Sequence, residues 1–152
     1  MTSTVVRLWD RYRASNPEAP AHTPNSFHFC DNQADADHCA ALVARGHKRA
    51  TAPSVAELEL SGEPVPRVGD YAIVTDWPGH AIAVIRTVSV EIRRFGEIDE
   101  EFARAEGEGD LTLEWWRVAH QRYYEIVLAG SRYTVDADLE IVCESFEVVM
   151  TA

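Results

Sequence analysis

Apolar residues recur at helical spacing from the start of the chain. Val5, Leu8, Trp9 and Tyr12 make one stripe, with Ser3 or Thr4 placed to cap the first free amides. The stripe stops before Asn16-Pro17, and Pro17, Pro20 and Pro24 mark an extended connector. Over 26–30 the period changes to two: Phe27 and Phe29 alternate with Ser26, His28 and Cys30, as in a half-buried strand. Asp31 or Asn32 then caps a helix with Ala36, Cys39, Ala40 and Val43 on one face, ending at Gly46, where a left-handed residue is expected. A short strand near 49–52 precedes a brief helix over 54–60, begun by Pro53 and stopped at Ser61-Gly62. Tyr71–Thr75 and His80–Ile92, rich in β-branched residues, read as a hairpin turning at Trp77-Pro78-Gly79. Ile98, Phe102 and Ala105 share a helical face, and Thr112 caps a further helix with Leu113, Trp116, His120 and Tyr123 or Tyr124 at helical spacing up to Gly130. Leu139–Met150 reads as a long strand with Val142, Phe146, Val148 and Met150 inward. Strands and helices in this order, without a strict βαβ rhythm, predict an α+β domain with a small, curled sheet.

Composition adds bounds to this picture. The 152 residues suffice for one domain and one sizeable core. A formal net charge of -11 repels a polyanion at long range, so duplex DNA is excluded as a partner and any nucleic-acid contact must be local or made with a small or single-stranded piece. Cys30, Cys39 and Cys143 form no Cys-x-x-Cys pair, which fits reduced thiols and argues against structural zinc. The N-terminal residues are charged where a signal peptide needs an apolar run, and the longest aliphatic run, Ala81–Ile85, cannot span a bilayer. The expectation is therefore a cytosolic protein with no membrane partner. No GxGxxG or GxxxxGK[ST] occurs, and Gly107-Glu108-Gly109 lies among acids, where a phosphate is unwelcome. No cofactor is indicated.

Candidate chemistry centres on Arg45-Gly46-His47-Lys48-Arg49-Ala50-Thr51. Two readings stand on local sequence. A turn or bulge brings Lys48 and Thr51 together on a ligand, or the segment is a solvated basic loop with a threonine opening a strand.

Further motifs extend this segment in both directions: Ser26-Phe27-x-Phe29, then Gly46-x-Lys48-x-Ala50-Thr51, then Pro66-x-Val68-Gly69-Asp70. Beyond them stand Glu101-Phe-Ala-x-x-Glu106-Gly-Glu-Gly-Asp110, Leu113-x-x-Trp116-Arg117 and Val142-Cys-Glu-x-Phe146. Together, from about Ser26 to Val149, they resemble the ASCH domain family. The stripe and prolines at the start of the chain make 1–25 an N-terminal helix and extended connector, and the resemblance implies an ASCH domain over 26–150. It further implies a PUA-like small β-barrel with helices packed at its rim, and recognition of RNA or a modified nucleoside. Some small relatives are similar to amidohydrolases that deacetylate N4-acetylcytidine with a lysine, a threonine three residues on and a later glutamate; others are similar to ribonucleases. Lys48, Thr51 and Glu106 match those positions, with Glu101, Glu108 and Asp110 close enough to replace Glu106. Cys30 departs from the pattern, since relatives often carry glycine there.

On that reading Thr51 is a nucleophile that needs a base, and Lys48 can be the base only if burial or a cation such as Arg45 or Arg49 depresses its pKa. Glu106 either protonates a leaving amine or holds Lys48 in an ion pair, and the second role raises the lysine's pKa and opposes the first. Both assignments stay open. Among Trp77, Trp115, Trp116, Tyr123 and Tyr124, the stripe places Trp116 and Tyr123 inward, leaving Trp115 and Tyr124 as the exposed rings for stacking on a base. Arg45 and Arg49 are the other expected ligand-binding residues. Three competing classes remain: a non-catalytic RNA-binding module using a basic patch of Lys48, Arg45, Arg49, Arg93 and Arg94; a metal-dependent ribonuclease on Asp31, Asp35, Asp37 and His38; and an interaction protein presenting the acidic stretch 97–110. No metal is expected, and oligomeric state is open.

Overall fold

Two long antiparallel strands carry the fold. β4 (Ala81–Arg94) pairs with β5 (Glu140–Thr151) from Arg94↔Glu140 to Ala83↔Thr151, with register shifts at Val84/Ile85 and Thr87/Ser89 that bend the pair. The structure is a computed structural model and describes residues 3–152. β3 (Tyr71–Thr75) joins β4 as the expected hairpin, β1 (Ser26–Phe27) adds in parallel to β3, and β2 (Ala50–Thr51) adds antiparallel to β5. The five-stranded order is β1-β3-β4-β5-β2.

The sheet is α+β, as the pattern predicts, but the expected barrel is not closed: β1 and β2 are two-residue edges that do not pair with each other. Local chemistry accounts for their shortness. The strand predicted over 26–30 ends at Phe27, and Cys30 then takes φ 64, a left-handed conformation incompatible with a strand. β2 runs into Pro53, which has no amide to extend a ladder.

Helices cover the sheet. α1 (Thr4–Ser15), capped by the Ser3 side chain, packs Leu8, Trp9 and Tyr12 on Ile73 and Val84. α2 (Gln33–Ala44), capped by Asn32, packs Cys39, Ala40 and Val43 with Phe29, Val74 and Phe146. α3 (Val55–Ser61) carries a capping box between Ser54 and Glu57. α4 (Glu100–Glu106) and α5 (Leu113–Val127), capped by Asp99 and Thr112, enclose a third cluster of Phe95, Phe102, Trp116, Tyr124, Ile141 and Cys143. Among the described residues no helix is long and apolar enough to cross a membrane.

Candidate functional site

The end of α2 sends Lys48 inward. Gly46, at φ 76, donates to Val43, and the amides of His47 and Lys48 both donate to the Leu42 carbonyl, so the chain folds back across the helix terminus. The Arg49 amide donates to the Ala105 carbonyl at 2.8 Å, tying the segment to α4. Lys48 is 1% exposed, and its ammonium donates to Glu106 Oε2 at 2.5 Å, Glu108 Oε2 at 2.8 Å and the Ala50 carbonyl at 2.9 Å. Its three N–H donors are thereby satisfied, and the charge sits 4.9 Å from the centre of the Phe29 ring.

Glu106, the last residue of α4, is equally enclosed. While Oε2 takes Lys48, Oε1 accepts from Trp116 Nε1 at 3.2 Å and lies 3.1 Å from His120 Nε2. His120 Nδ1 is 2.9 Å from the Trp116 carbonyl, and the ring stacks on Trp116 at 4.0 Å. Burial works to lower the lysine's pKa, but the adjoining Glu106 and Glu108 carboxylates outweigh it and raise it above its ordinary value. Burial likewise pushes Glu106 up, yet Lys48 and His120 outweigh it and hold the carboxyl well below the usual carboxylate range. Of the two sequence alternatives for Glu106, this geometry is the ion pair.

Gly107 makes the approach of α4 to Lys48 sterically feasible. It has φ 73, and a Cβ there would lie 2.8 Å from the His47 carbonyl carbon, 3.0 Å from Lys48 Cα and closer still to the His47 oxygen. Gly107→Ala is therefore expected to lose more than the about 1–3 kcal/mol of a left-handed alanine alone, because rigid backbone must also move. Gly46→Ala, with φ 76 and nothing within 4 Å, is the control and should lose only the conformational part. Thermal unfolding of the two variants checks the difference.

Above this buried pair opens a cleft of about 1260 Å³. One wall is the β2–β5 edge, where Thr51 is the register partner of Glu144. Opposed residues of an antiparallel pair project to one face with Cβ atoms roughly 4.5–5.5 Å apart. Glu144 Oε2 accepts from the Thr87 hydroxyl at 2.7 Å, and burial raises the Glu144 pKa. The facing wall includes Tyr123, whose hydroxyl donates to Glu57 at 2.9 Å, and Trp115 at the rim. Glu108, with its side chain 17% exposed, is the member of the lysine network that reaches the cleft most openly.

Lys48, Thr51, Glu106 and Trp115 thus share one cleft, and Trp115 is exposed as expected. Three other expectations are corrected. Tyr124 is 0% exposed and donates to the Ala52 carbonyl at 2.6 Å, because it lies four residues beyond His120 on the inward stripe. Arg45 and Arg49 are solvent-exposed and outside the cleft lining, since the turn that buries Lys48 faces its neighbours outward; neither borders the ammonium. The five-residue basic patch does not form: Lys48 is buried, Arg93 pairs with Glu91 and Asp99, and Arg94 with Glu97 and Asp138. Of the possible replacements for Glu106, Glu101 and Asp110 are exposed, while Glu108 joins Lys48. Asp35 and Asp37 are engaged by Asn32 and the Trp77 amide, and among the described residues they do not converge with Asp31 and His38 as a metal cage. Sequence reasoning missed His120 and Glu144 as site residues. The second had a signal, an acid interrupting an apolar strand.

The ASCH domain family model matches residues 25–150. An ASCH domain from Lactobacillus crispatus is 31% identical, with a TM-score of 0.89 over 98% of this chain and 96% of that one. A protein from Enterococcus faecalis is 32% identical, with a TM-score of 0.87 over 96% of this chain and 88% of that one. A search of the curated proteins finds no match.

Proposed function

Because this chain belongs to the ASCH domain family, we propose that its cleft takes a modified nucleoside and hydrolyses an amide of it, of the kind in N4-acetylcytidine. RNA recognition is the broader role the family suggests, and a small neutral ligand is the form this cleft favours. The observation that carries the choice is the charge of the lining. Asp31, Asp35, Glu57, Asp70, Glu108 and Glu144 line it against the exposed Arg122 and a lysine whose donors are already taken. Such a surface repels a phosphodiester and tolerates a nucleoside.

In the proposed reaction Thr51 Oγ1 adds to the acetyl carbon while its proton passes to Glu144, the carboxylate across the strand pair. Glu144 suits that role because burial lifts its pKa toward neutrality without a permanent cation beside it. The Lys48 ammonium is the electrostatic partner of the developing oxyanion, exchanging its bond to Glu108 for the substrate oxygen while Glu106 keeps it anchored. Collapse breaks the C–N bond, and the cytosine amine leaves with the proton from Glu144. Water then hydrolyses the threonyl ester to acetate. Lys48 is a charge in this scheme and not a base.

A second reading, a binding pocket without turnover, is favoured by the burial of Lys48, a residue 1% exposed in the absence of a rearrangement of Glu108.

Trp115 fluorescence tests ligand class directly. N4-acetylcytidine is expected to bind at least tenfold more tightly than its 5′-monophosphate, with little salt dependence, since both stack on the same ring and only the nucleotide brings a phosphate against the acidic lining. Tighter binding of the nucleotide or of single-stranded RNA, weakening steeply with salt, would reject the nucleoside reading.

A further inference from the structure

Two thiols and a carboxylate converge at one end of the cleft, and the chemistry above leaves the thiols unused. Cys30 sits in the loop after β1, Cys39 on the inward face of α2 and Glu108 just beyond α4. Cys30 Sγ is 3.8 Å from Cys39 Sγ, which is 3.5 Å from Glu108 Oε1, and all three donor atoms lie within 4.8 Å of one another. Tetrahedral zinc, with Zn–S about 2.3 Å and Zn–O about 2.0–2.2 Å, places its sulfurs about 3.8 Å apart and a sulfur and oxygen about 3.6 Å apart. The Cys30–Cys39 and Cys39–Glu108 separations match those edges, and the third pair closes the triangle within 4.8 Å.

The carboxylate is already oriented for the task. Oε2 of Glu108 is held by the Lys48 ammonium at 2.8 Å, which leaves Oε1 facing Cys39. A hydrogen bond of this kind to the far oxygen of a ligating carboxylate fixes its direction. The other grouping in the cleft, Glu106, Glu108 and His120, is closed to a cation because Lys48 fills it.

We propose that Cys30, Cys39 and Glu108 bind one zinc ion with its fourth position open to the cleft. Three protein donors and an open position is the donor count of a zinc that acts on a ligand, in contrast to the four-donor sites that stabilise a fold. On binding, the two thiols ionise and release their protons to solvent, and the ion takes a water in the open position. The two thiolates, with Glu106 and Glu108, then set four negative charges against the three positive charges of the zinc and the Lys48 ammonium. Sequence gave no signal, because Cys30 and Cys39 are nine positions apart and Glu108 another 69 beyond Cys39, outside any compact ligand spacing. The left-handed backbone at Cys30 is the local cost of bringing its thiol here.

Titration of reduced, metal-free protein with Co2+ and then Zn2+ tests this without reference to any reaction. One equivalent of cobalt is expected to bind with the charge-transfer absorption of a tetrahedral thiolate complex, and zinc to displace it. Cys30→Ser, at the more exposed thiol, and Glu108→Gln should each weaken zinc binding by more than the roughly 10–100-fold lost with an outer hydrogen-bond partner of a metal ligand. Cys143→Ser, outside the cleft lining, should leave it unchanged. Circular dichroism confirms that each variant is folded. Absence of saturable binding, an octahedral cobalt spectrum, or a charge-transfer band that survives both Cys30→Ser and Cys39→Ser would overturn the proposal. Because the readout is metal binding, neither outcome bears on whether the cleft hydrolyses an amide.

Discussion

Lys48→Met is expected to destabilise the protein by about 3–5 kcal/mol, the loss seen when one member of a buried ion pair is removed. At about 2–4 °C per kcal/mol for a chain of this size, Tm should fall by roughly 6–20 °C. The physical reason is what remains behind. Methionine keeps the unbranched shape of the lysine stem, one atom shorter, but Glu106, with its side chain 2% exposed, loses its closest counter-charge, and Glu108 loses its anchor. The double variant Lys48→Met/Glu106→Gln removes both charges and keeps an acceptor for Trp116, so it should lose less than Lys48→Met alone. The pH dependence has a definite sign. The Glu106 carboxyl is held below its ordinary 4.5 in the folded state, so its contribution is present above that value and is lost as pH falls through the folded value. Lys48→Met should remove most of that acid-side slope. Urea unfolding across pH measures both effects, and an unchanged Tm would mean that the ammonium is not the partner that satisfies Glu106.

Thr51→Val is expected to leave the fold and ligand binding intact and to reduce turnover on the order of 10^4–10^6-fold, as loss of a nucleophile does. Valine preserves the branched shape on β2 and puts a methyl in place of the hydroxyl, which makes no hydrogen bond among the described residues. Glu144→Gln should lower turnover by about 10^2–10^4-fold, the range for a general base, and should abolish the acid limb of the pH profile. Burial raises the Glu144 pKa above its ordinary 4.5, so the active, ionised form is lost as pH falls through that raised value. Turnover by the parent should therefore rise from acid toward neutral pH. A Thr51→Val protein with undiminished turnover would exclude the hydroxyl as nucleophile.

Much of the fold is legible because short-range chemistry dictates it. The Ser3 and Thr112 caps, the left-handed turn at Gly46 and the β3–β4 hairpin all appear where side-chain chemistry puts them. The open sheet is not legible, since closure depends on whether two edge strands meet and no local pattern encodes that. The site divides in the same way. Lys48 and Thr51 stand out in the local sequence and Glu106 follows from the family resemblance, but their arrangement rests on a contact 58 residues apart in sequence. Helical spacing puts Tyr123 inward and Tyr124 outward, yet their directions differ by one step around α5, and with Glu106 beside Trp116 and His120 it is Tyr124 that is enclosed. His120 was hidden by the same stripe: a histidine at apolar spacing looks like packing until the buried carboxylate facing it is known.

The most direct test of the amidohydrolase account is to incubate the purified protein with N4-acetylcytidine at neutral pH and quantify cytidine and acetate, beside folded Thr51→Val protein. The account predicts equal amounts of both products accumulating over many turnovers with the parent and none above the uncatalysed rate with the variant. Intact N4-acetylcytidine after incubation with the parent, or equal release by both proteins, would contradict it.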